Sequence, residues 1–226
     1  MCGIIGYVGY QNTVPVLIKG LERLEYRGYD SAGIACVGHQ KGGLSLIKEK
    51  GKLGVLKEKL GDFAIEAHIG IGHTRWATHG EPSRANAHPH VDVSGKIALV
   101  HNGIIENYAA IKTALQKKRV RFLSQTDTEV GVNLIGSYYR KSSKLFDAVK
   151  QAVGELHGFF AFVLFSKDDP DTLIAYKRSN PLVIGLGRGE NFIASDVTAL
   201  LPYTRQVIYL EDEDLAVITA QEVSIY

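Results

Sequence analysis

Helical periodicity is clearest near the start of the chain. Apolar residues recur at Val14, Leu17, Ile18, Leu21 and Leu24, which is the spacing of one face of an amphipathic helix. An Asn-Thr pair just before this row supplies an N-cap, and a proline follows near the first helical position. Further helices are predicted over 104–117, 128–139 and 144–153.

Strand-like segments outnumber these helices. The first covers residues 2–9, a short apolar run rich in Gly and β-branched residues that is typical of a buried strand. Many of the later segments are separated by only a few turn residues, which favours antiparallel pairing over βαβ crossovers. They are predicted over 34–37, 44–48, 69–73, 97–101, 159–165, 172–176, 182–187, 192–194, 207–210, 215–219 and 223–226.

The pattern contains no internal repeat, low-complexity tract or linker. The acidic residues 211–214 are most simply a turn between two strands. We therefore predict the α+β class and a single domain over residues 1–226.

Composition narrows the functional classes. The 226 residues are 45% hydrophobic and 22% charged, as in ordinary globular proteins, and the formal net charge is only +2. This balance does not favour nucleic acid or an anionic membrane as a partner. The lysines between positions 41 and 59 are interrupted by glutamates and predict a solvated surface.

No run of ~18 apolar residues is available for a membrane span, and the N-terminus lacks a secretory signal. The expected location is the cytoplasm. In that reducing compartment Cys2 and Cys36 are expected to be free thiols.

Cys2 is the first candidate for chemistry, because it directly follows the initiator methionine. Removal of Met1 would give one residue both a thiol, with a usual pKa of ~8.5, and an α-amine of ~7.7–8. A nucleophile and its base would then share a residue. The alternative is a cysteine that serves only as a small apolar side chain.

A second candidate is the polar segment 72–83, which follows a predicted strand. It carries Arg75, Trp76, Thr78 and His79. An Arg fork suits bidentate recognition of a carboxylate, and loops carry function disproportionately. A surface loop with its Trp folded onto the core explains the pattern equally well.

Asn102 and Gly103 follow an apolar strand. The Asn-Gly pair is a strong tight-turn signal. Alternatively, the side-chain amide and an unobstructed backbone N–H offer two donors for an oxyanion hole. Asp127 lies inside a Thr-x-x-Glu capping pattern that does not itself require a carboxylate there, so it is a candidate partner for an ammonium group.

Five histidines within 29 positions raise the question of a metal. They lack a His-Glu-x-x-His spacing, and neither Cys completes a ligand pattern. The glycines at 185, 187 and 189 do not have the spacing of a dinucleotide-binding loop. We therefore predict no metal and no cofactor.

Six separated segments together resemble the class II glutamine amidotransferases. They are 1–6, 24–33, 73–83, 86–90, 100–107 and 126–130, in one order, and the resemblance continues through 181–187 and 191–196, so that it covers nearly the whole chain. The strings at 25–30 and 75–80 favour the branch that makes glucosamine 6-phosphate over the phosphoribosyltransferase and asparagine synthetase branches. A glutamine-sensing module without catalysis remains an alternative of another class.

The resemblance implies an N-terminal-nucleophile hydrolase fold, a four-layer αββα sandwich. It also implies hydrolysis of L-glutamine to L-glutamate and ammonia through a cysteinyl thioester. The resemblance implies that Cys2 supplies the nucleophilic thiol and, through its own α-amine, the base. Asn102 and Gly103 are implied to form the oxyanion hole, and Trp76 and Arg27 to act as a gate or loop. Substrate binding is implied for Arg75, Thr78, His79, Asp127 and Gly103.

Members of that branch continue into sugar-phosphate isomerase domains, and these are absent from the 226 residues. The resemblance therefore implies fructose 6-phosphate as a partner only through such a C-terminal domain.

Overall fold

The computed structural model describes residues 2–38, 43–61, 65–77 and 80–226. Within these ranges the strands are β1 (Gly3–Gly9), β2 (Ser31–Val37), β3 (Ser45–Lys50), β4 (Ile69–Arg75), β5 (His90–Val91), β6 (Ile97–Ile105), β7 (Gly158–Ser166), β8 (Asp169–Arg178), β9 (Val183–Leu186), β10 (Glu190–Ala194), β11 (Val207–Tyr209), β12 (Leu215–Ile218) and β13 (Val223–Ile225). The helices are α1 (Thr13–Leu24), α2 (Leu53–Leu60), α3 (Tyr108–Lys117), α4 (Asp127–Ser142) and α5 (Leu145–Val153).

The strands form two antiparallel sheets. The first has the order β11-β9-β10-β1-β4-β2-β3, so β1 is central and pairs with β4 and β10. The second has the order β13-β12-β8-β7-β6-β5. The short turns between many strands allow this pairing, as the sequence predicted.

Three apolar clusters define the layers. One lies between the sheets and is built from alternate residues of β1, β4, β6, β7 and β8, such as Ile71 and Val100. A second joins α1 and α2 to the outer face of the first sheet, and a third joins α3, α4 and α5 to the second. The arrangement is helix, sheet, sheet, helix, so the predicted α+β class and αββα sandwich are confirmed.

The caps of α1 and α4 form at the predicted residues. Asn12 accepts a hydrogen bond from the N–H of Val14 at 3.4 Å, and Thr126 accepts one from the N–H of Glu129 at 3.3 Å. Glu129 does not close a reciprocal capping box. Its carboxylate instead accepts from the backbone of residues 123 and 124, which ties the preceding segment to α4.

The structure corrects two predictions around Asn102. The helix predicted over 104–117 begins only at Tyr108, because Ile104 and Ile105 extend β6. Asn102 and Gly103 consequently pair with β7 in the middle of the ladder, and the tight-turn interpretation is wrong. A hydrophobic run followed by Asn-Gly does not reveal that the strand continues.

The basic stretch is also more structured than predicted. It contains the unpredicted helix α2, whose residues Leu53, Leu56 and Leu60 are buried. The Lys48 ammonium donates to the backbone carbonyls of Ala87 and Pro89 at 2.6 and 3.2 Å. Burial lowers the pKa of Lys48 to about 8, so the expectation of a solvated surface is wrong at this lysine.

Across the described ranges, we find no helix of the length and apolar character needed to cross a membrane.

Candidate active site

The candidate site forms where the apolar interface between the sheets gives way to polar residues. Side chains along a strand alternate between its faces, so residues two apart share one face. Further along β4 and β6, the residues that face the other sheet become polar, and these polar residues lie at the same end of the sandwich. The rows facing the other sheet are Ile69, Ile71, His73 and Arg75 on β4, and Ala98, Val100 and Asn102 on β6.

Cys2 lies immediately before β1 at this end. Its carbonyl oxygen accepts hydrogen bonds from Asn102 Nδ2 at 3.1 Å and from Arg27 Nε at 3.2 Å. Its Sγ accepts from the backbone N–H of Trp76 at 3.2 Å. Burial raises the pKa of the Cys2 thiol above its usual value, although the hydrogen bond from the Trp76 N–H works in the opposite direction. The thiol is therefore protonated at neutral pH and needs a base to become a nucleophile.

Arg27 contacts the nucleophile candidate directly. It ends the short 3₁₀ turn Glu25–Arg27 and is buried. Its Nη1 pairs with Asp196 Oδ2 at 3.0 Å, and the Tyr26 hydroxyl donates to the same oxygen at 2.8 Å. The guanidinium is thus fixed against the backbone of Cys2, which is a more specific place than the loop or gate role predicted for it.

Gly103 has a backbone conformation that a side chain would not permit. Its φ is +108°, and an added Cβ would lie 2.0 Å from the carbonyl oxygen of Phe159. Glycine is therefore required where β6 passes the cleft. Together with Asn102 it lines the cleft beside Cys2, and the oxyanion-hole role of the two residues stays a prediction.

Two opposite charges line the same cleft. Arg75 is buried, and its Nη2 donates to the carbonyl of Gly80 at 3.0 Å. Burial lowers the pKa of Arg75, while the neighbouring Cys2, Asp127 and Asp30 favour its charged form. Arginine remains charged in proteins regardless.

Asp127 occupies the first turn of α4, where a helix favours a negative charge. Its Oδ2 accepts from the N–H of Ile105 at 2.8 Å and its Oδ1 from the N–H of Thr128 at 2.9 Å. The carboxylate is thereby held rigidly at the cleft wall.

Trp76 and Ala77, which follow Arg75, are held in place by contacts with Tyr29 and Asp30. Trp76 is 45% exposed and meets the Tyr29 ring edge-on, with 5.4 Å between centroids. The Ala77 N–H donates to Asp30 Oδ2 at 2.8 Å. Thr78 and His79 lie outside the described residues, so their contacts with substrate remain predictions.

Four of the five clustered histidines are buried, namely His73, His88, His90 and His101. Two of them, His88 and His101, line the cleft. Burial lowers the pKa of His73 to about 3, and it lowers the pKa values of His88 and His90 well below 6.5. Among the described residues, no group of three or more histidine, cysteine or acidic side chains is arranged to hold a metal ion.

The cleft has a volume of about 190 Å³. Drug-sized ligand sites span ~300–1,000 Å³, so this one suits a small metabolite. Sequence reasoning missed Asn180 and Ile104 in its lining, and it missed Asp196 as the partner of Arg27. The alternation of β6 could have found Ile104, which lies two residues after Asn102, whereas Asn180 and Asp196 lie in segments distant in sequence.

Two antiparallel sheets between helical layers, with a cysteine at the head of a central strand, define the class of N-terminal-nucleophile hydrolases. The solved structures agree. Glutamine phosphoribosylpyrophosphate amidotransferase from B. subtilis, in complex with ADP and GMP, aligns over 100% of this chain and 49% of its own, with a TM-score of 0.83 and 25% identity. A structure described as the allosteric regulatory enzyme of purine biosynthesis aligns over 100% and 48%, with a TM-score of 0.86 and 26% identity.

The sequence comparisons are more specific. The model of the glutamine amidotransferase domain matches residues 60–225, so the chain belongs to the glutamine amidotransferase family. Relatives called glutamine-fructose-6-phosphate aminotransferase (isomerizing) include those of Aquifex aeolicus, 50% identical over 100% of this chain, and Gloeobacter violaceus, 52% identical over 100%. The relative from Caldanaerobacter subterraneus subsp. tengcongensis is 49% identical over 99%. The chain spans only 38%, 37% and 36% of these three proteins, respectively.

Proposed function

We propose that this chain hydrolyses L-glutamine to L-glutamate and ammonia, with Cys2 as the covalent nucleophile. The observation that carries the proposal is the convergence of a thiol, an amide donor and two opposite charges on one small cleft. Cys2, Asn102, Arg75 and Asp127 all line it.

The reaction begins with proton transfer from the Cys2 thiol to the α-amine that removal of Met1 would expose. Sulfur attacks the side-chain amide carbon of glutamine, and the carbonyl electrons move onto oxygen. Asn102 and Gly103 donate hydrogen bonds to this oxyanion. Collapse breaks the carbon–nitrogen bond, and the α-ammonium returns its proton to the departing ammonia.

A thioester between Cys2 and the glutamyl group remains. Water attacks it as the α-amine accepts a proton, and the carbon–sulfur bond breaks. The proton returns to sulfur and glutamate leaves. No metal or cofactor takes part in these steps.

Substrate recognition rests on the charges of an amino acid. The Arg75 fork binds the α-carboxylate and Asp127 binds the α-ammonium, while Thr78 and His79 are expected to complete the same wall. A simple amide carries neither an α-carboxylate nor an α-ammonium and would make neither contact, so glutamine is preferred over it.

Measuring the release of glutamate and ammonia tests this proposal. The 226-residue chain, incubated with L-glutamine, is expected to release them in equal amounts. Binding of glutamine without release of either product would favour the glutamine-sensing alternative and would overturn the proposal.

Replacing Arg75 with Lys tests the carboxylate contact. A point charge replaces a planar fork, so we expect the KM for glutamine to rise roughly 10- to 100-fold with a smaller change in kcat. Steady-state kinetics measure both. Arg84→Lys is the matched control, because Arg84 is exposed and pairs only weakly with Glu49 at 3.6 Å. Equal KM values for Arg75→Lys and the parent chain would remove Arg75 from the binding site.

The pH dependence tests the identity of the base. Burial raises the pKa of the Cys2 thiol, so the thiol stays protonated at neutral pH and activity depends on an unprotonated α-amine. We expect kcat/KM to increase through pH ~7–8, the titration range of an α-amine, and to fall as the amine becomes protonated at lower pH. A rise centred above pH 9 would instead indicate a free thiolate.

We further propose that this domain supplies ammonia to a C-terminal sugar-phosphate isomerase domain, which transfers it to fructose 6-phosphate to make glucosamine 6-phosphate. The names and lengths of the relatives support this, and the two free cysteines suit a reducing cytoplasm. Trp76, exposed at the mouth of the cleft, would gate the passage. In a full-length protein Trp76→Ala should release ammonia to solvent at the expense of aminated sugar, whereas equal yields would exclude a gate.

A further inference from the structure

One buried imidazole beneath the cleft contacts the oxyanion-hole asparagine. His73 Nε2 lies 3.0 Å from Asn102 Oδ1 and 3.0 Å from the backbone carbonyl oxygen of His101. His73 has no exposed surface, and its ring contacts that of His88 in a tilted arrangement, with 4.2 Å between centroids and 38° between the ring planes. The mechanism described above assigns no role to this side chain.

The surroundings determine which way the Asn102 amide faces. Its Nδ2 lies 3.1 Å from the carbonyl oxygen of Cys2, which can only accept a hydrogen bond. The NH₂ group must therefore face Cys2, and the amide oxygen must face His73. The second N–H of the same NH₂ group is then available for the oxyanion.

The protonation state of His73 follows from the same contacts. Both neighbours of Nε2 are oxygen acceptors, so Nε2 must carry the proton and share it between them. Burial lowers the pKa of His73 to about 3, so the ring is neutral and Nδ1 is bare. Within the described residues Nδ1 has no hydrogen-bond partner. An unprotonated nitrogen tolerates this lack of a partner better than an N–H group would.

His73 also links the two sheets. It lies on β4 directly opposite Ile4 of β1, the strand that follows Cys2. Asn102 lies on β6 in the other sheet, opposite Ala161. The His73–Asn102 hydrogen bond thus joins the sheet that carries the nucleophile to the sheet that carries the oxyanion donor.

We propose that His73 is a positioning residue for glutamine hydrolysis: its Nε2–H holds the Asn102 amide so that Nδ2 faces the oxyanion and cannot exchange places with Oδ1. The inference rests on the proposed glutaminase reaction. Without this donor the amide can rotate, and the rotated form turns an oxygen toward the developing negative charge. A misplaced donor lowers kcat rather than substrate binding.

Two substitutions distinguish the effect of losing the His73 N–H donor from the effect of losing the volume of its ring. His73→Leu removes the donor at similar volume, and we expect kcat to fall roughly 10- to 100-fold while KM changes less than about threefold. His73→Gln keeps an N–H near the Nε2 position, and we expect kcat within about fivefold of the parent. His68→Leu is the control, because His68 is also a buried histidine but lies beside Ile69, at the opposite end of β4. This variant should lose stability without losing kcat in the folded fraction.

A double-mutant cycle tests whether His73 acts through Asn102. In an Asn102→Ala background, His73→Leu should cost less than about threefold in kcat, because no amide remains to be positioned. A full 10- to 100-fold loss in that background would overturn the proposal. So would a His73→Gln variant that folds yet is as slow as His73→Leu, or a His73→Leu variant with unchanged kcat.

Nitrogen–proton NMR of the histidine rings gives an answer even when a variant does not fold or the chain is inactive. We expect His73 to remain the neutral Nε2–H tautomer from pH 5 to 8. An Nδ1–H tautomer or a charged ring would overturn the proposal. A parent chain that releases no glutamate but shows the expected tautomer would refute the glutaminase reaction while leaving the His73–Asn102 contact intact.

Discussion

Replacing Cys2 with Ala is expected to abolish glutamate release. Removal of the nucleophile from a covalent hydrolase lowers kcat by ~10⁶, because the remaining binding groups only weakly accelerate attack by water. The small methyl group leaves the cleft lining otherwise unchanged, so glutamine should still bind. A glutamate-release assay with calorimetric measurement of glutamine binding checks both parts.

Cys36→Ala is the matched control for this loss. Cys36 is the other free cysteine, is fully buried on β2, and has its pKa raised to about 11 by burial alone. Its substitution should reduce stability slightly and leave kcat unchanged. Residual activity in Cys2→Ala above a few thousandths of the parent would show that another group performs the attack.

Replacing Asn102 with Ala is expected to have the next largest effect. Loss of one oxyanion donor typically costs ~2.7–4 kcal/mol, or roughly 100- to 1,000-fold in kcat. KM should change little, because the hydrogen bond strengthens only as charge develops on oxygen. Asn102→Asp should be at least as slow, since it replaces a donor with a negative charge beside the oxyanion.

Asn191→Ala controls for the loss of a buried amide. Asn191 is 4% exposed and donates to the carbonyl of Thr219 at 2.7 Å, near the far end of β1. It should destabilise the fold without lowering kcat per folded molecule. If Asn102→Ala were no slower than Asn191→Ala, the oxyanion assignment would be wrong.

The architecture was predictable because local signals agreed with it. The few turn residues between neighbouring strands, as between β7 and β8, favour antiparallel pairing, and α1 carries an apolar face with its own cap. Helix α2 was missed because its apolar positions are diluted by lysines. The end of β6 was misplaced because its last residues pair with β7, and a pair as distant along the chain as Asn102 and Ala161 is invisible to a local pattern.

Some residues of the candidate site were predictable from the sequence, and others were not. Cys2, Arg75, Asn102 and Asp127 were candidates for chemistry from the sequence, although Cys2, Arg75 and Asn102 also had structural interpretations, and one cleft brings the four together. The ion pair between Arg27 and Asp196 could not be predicted from the sequence, because the two residues lie far apart along the chain and meet only in the folded structure. His73 was noticed only as one of a histidine group.

Mass spectrometry after labelling with a glutamine analogue that alkylates thiols tests the central claim most directly. The purified chain is expected to have lost Met1, to take up one equivalent of label on Cys2, and to lose glutamate release in proportion to the label. L-glutamine should protect against labelling. Full activity with Met1 retained, or inactivation by label on Cys36, would contradict the proposed mechanism.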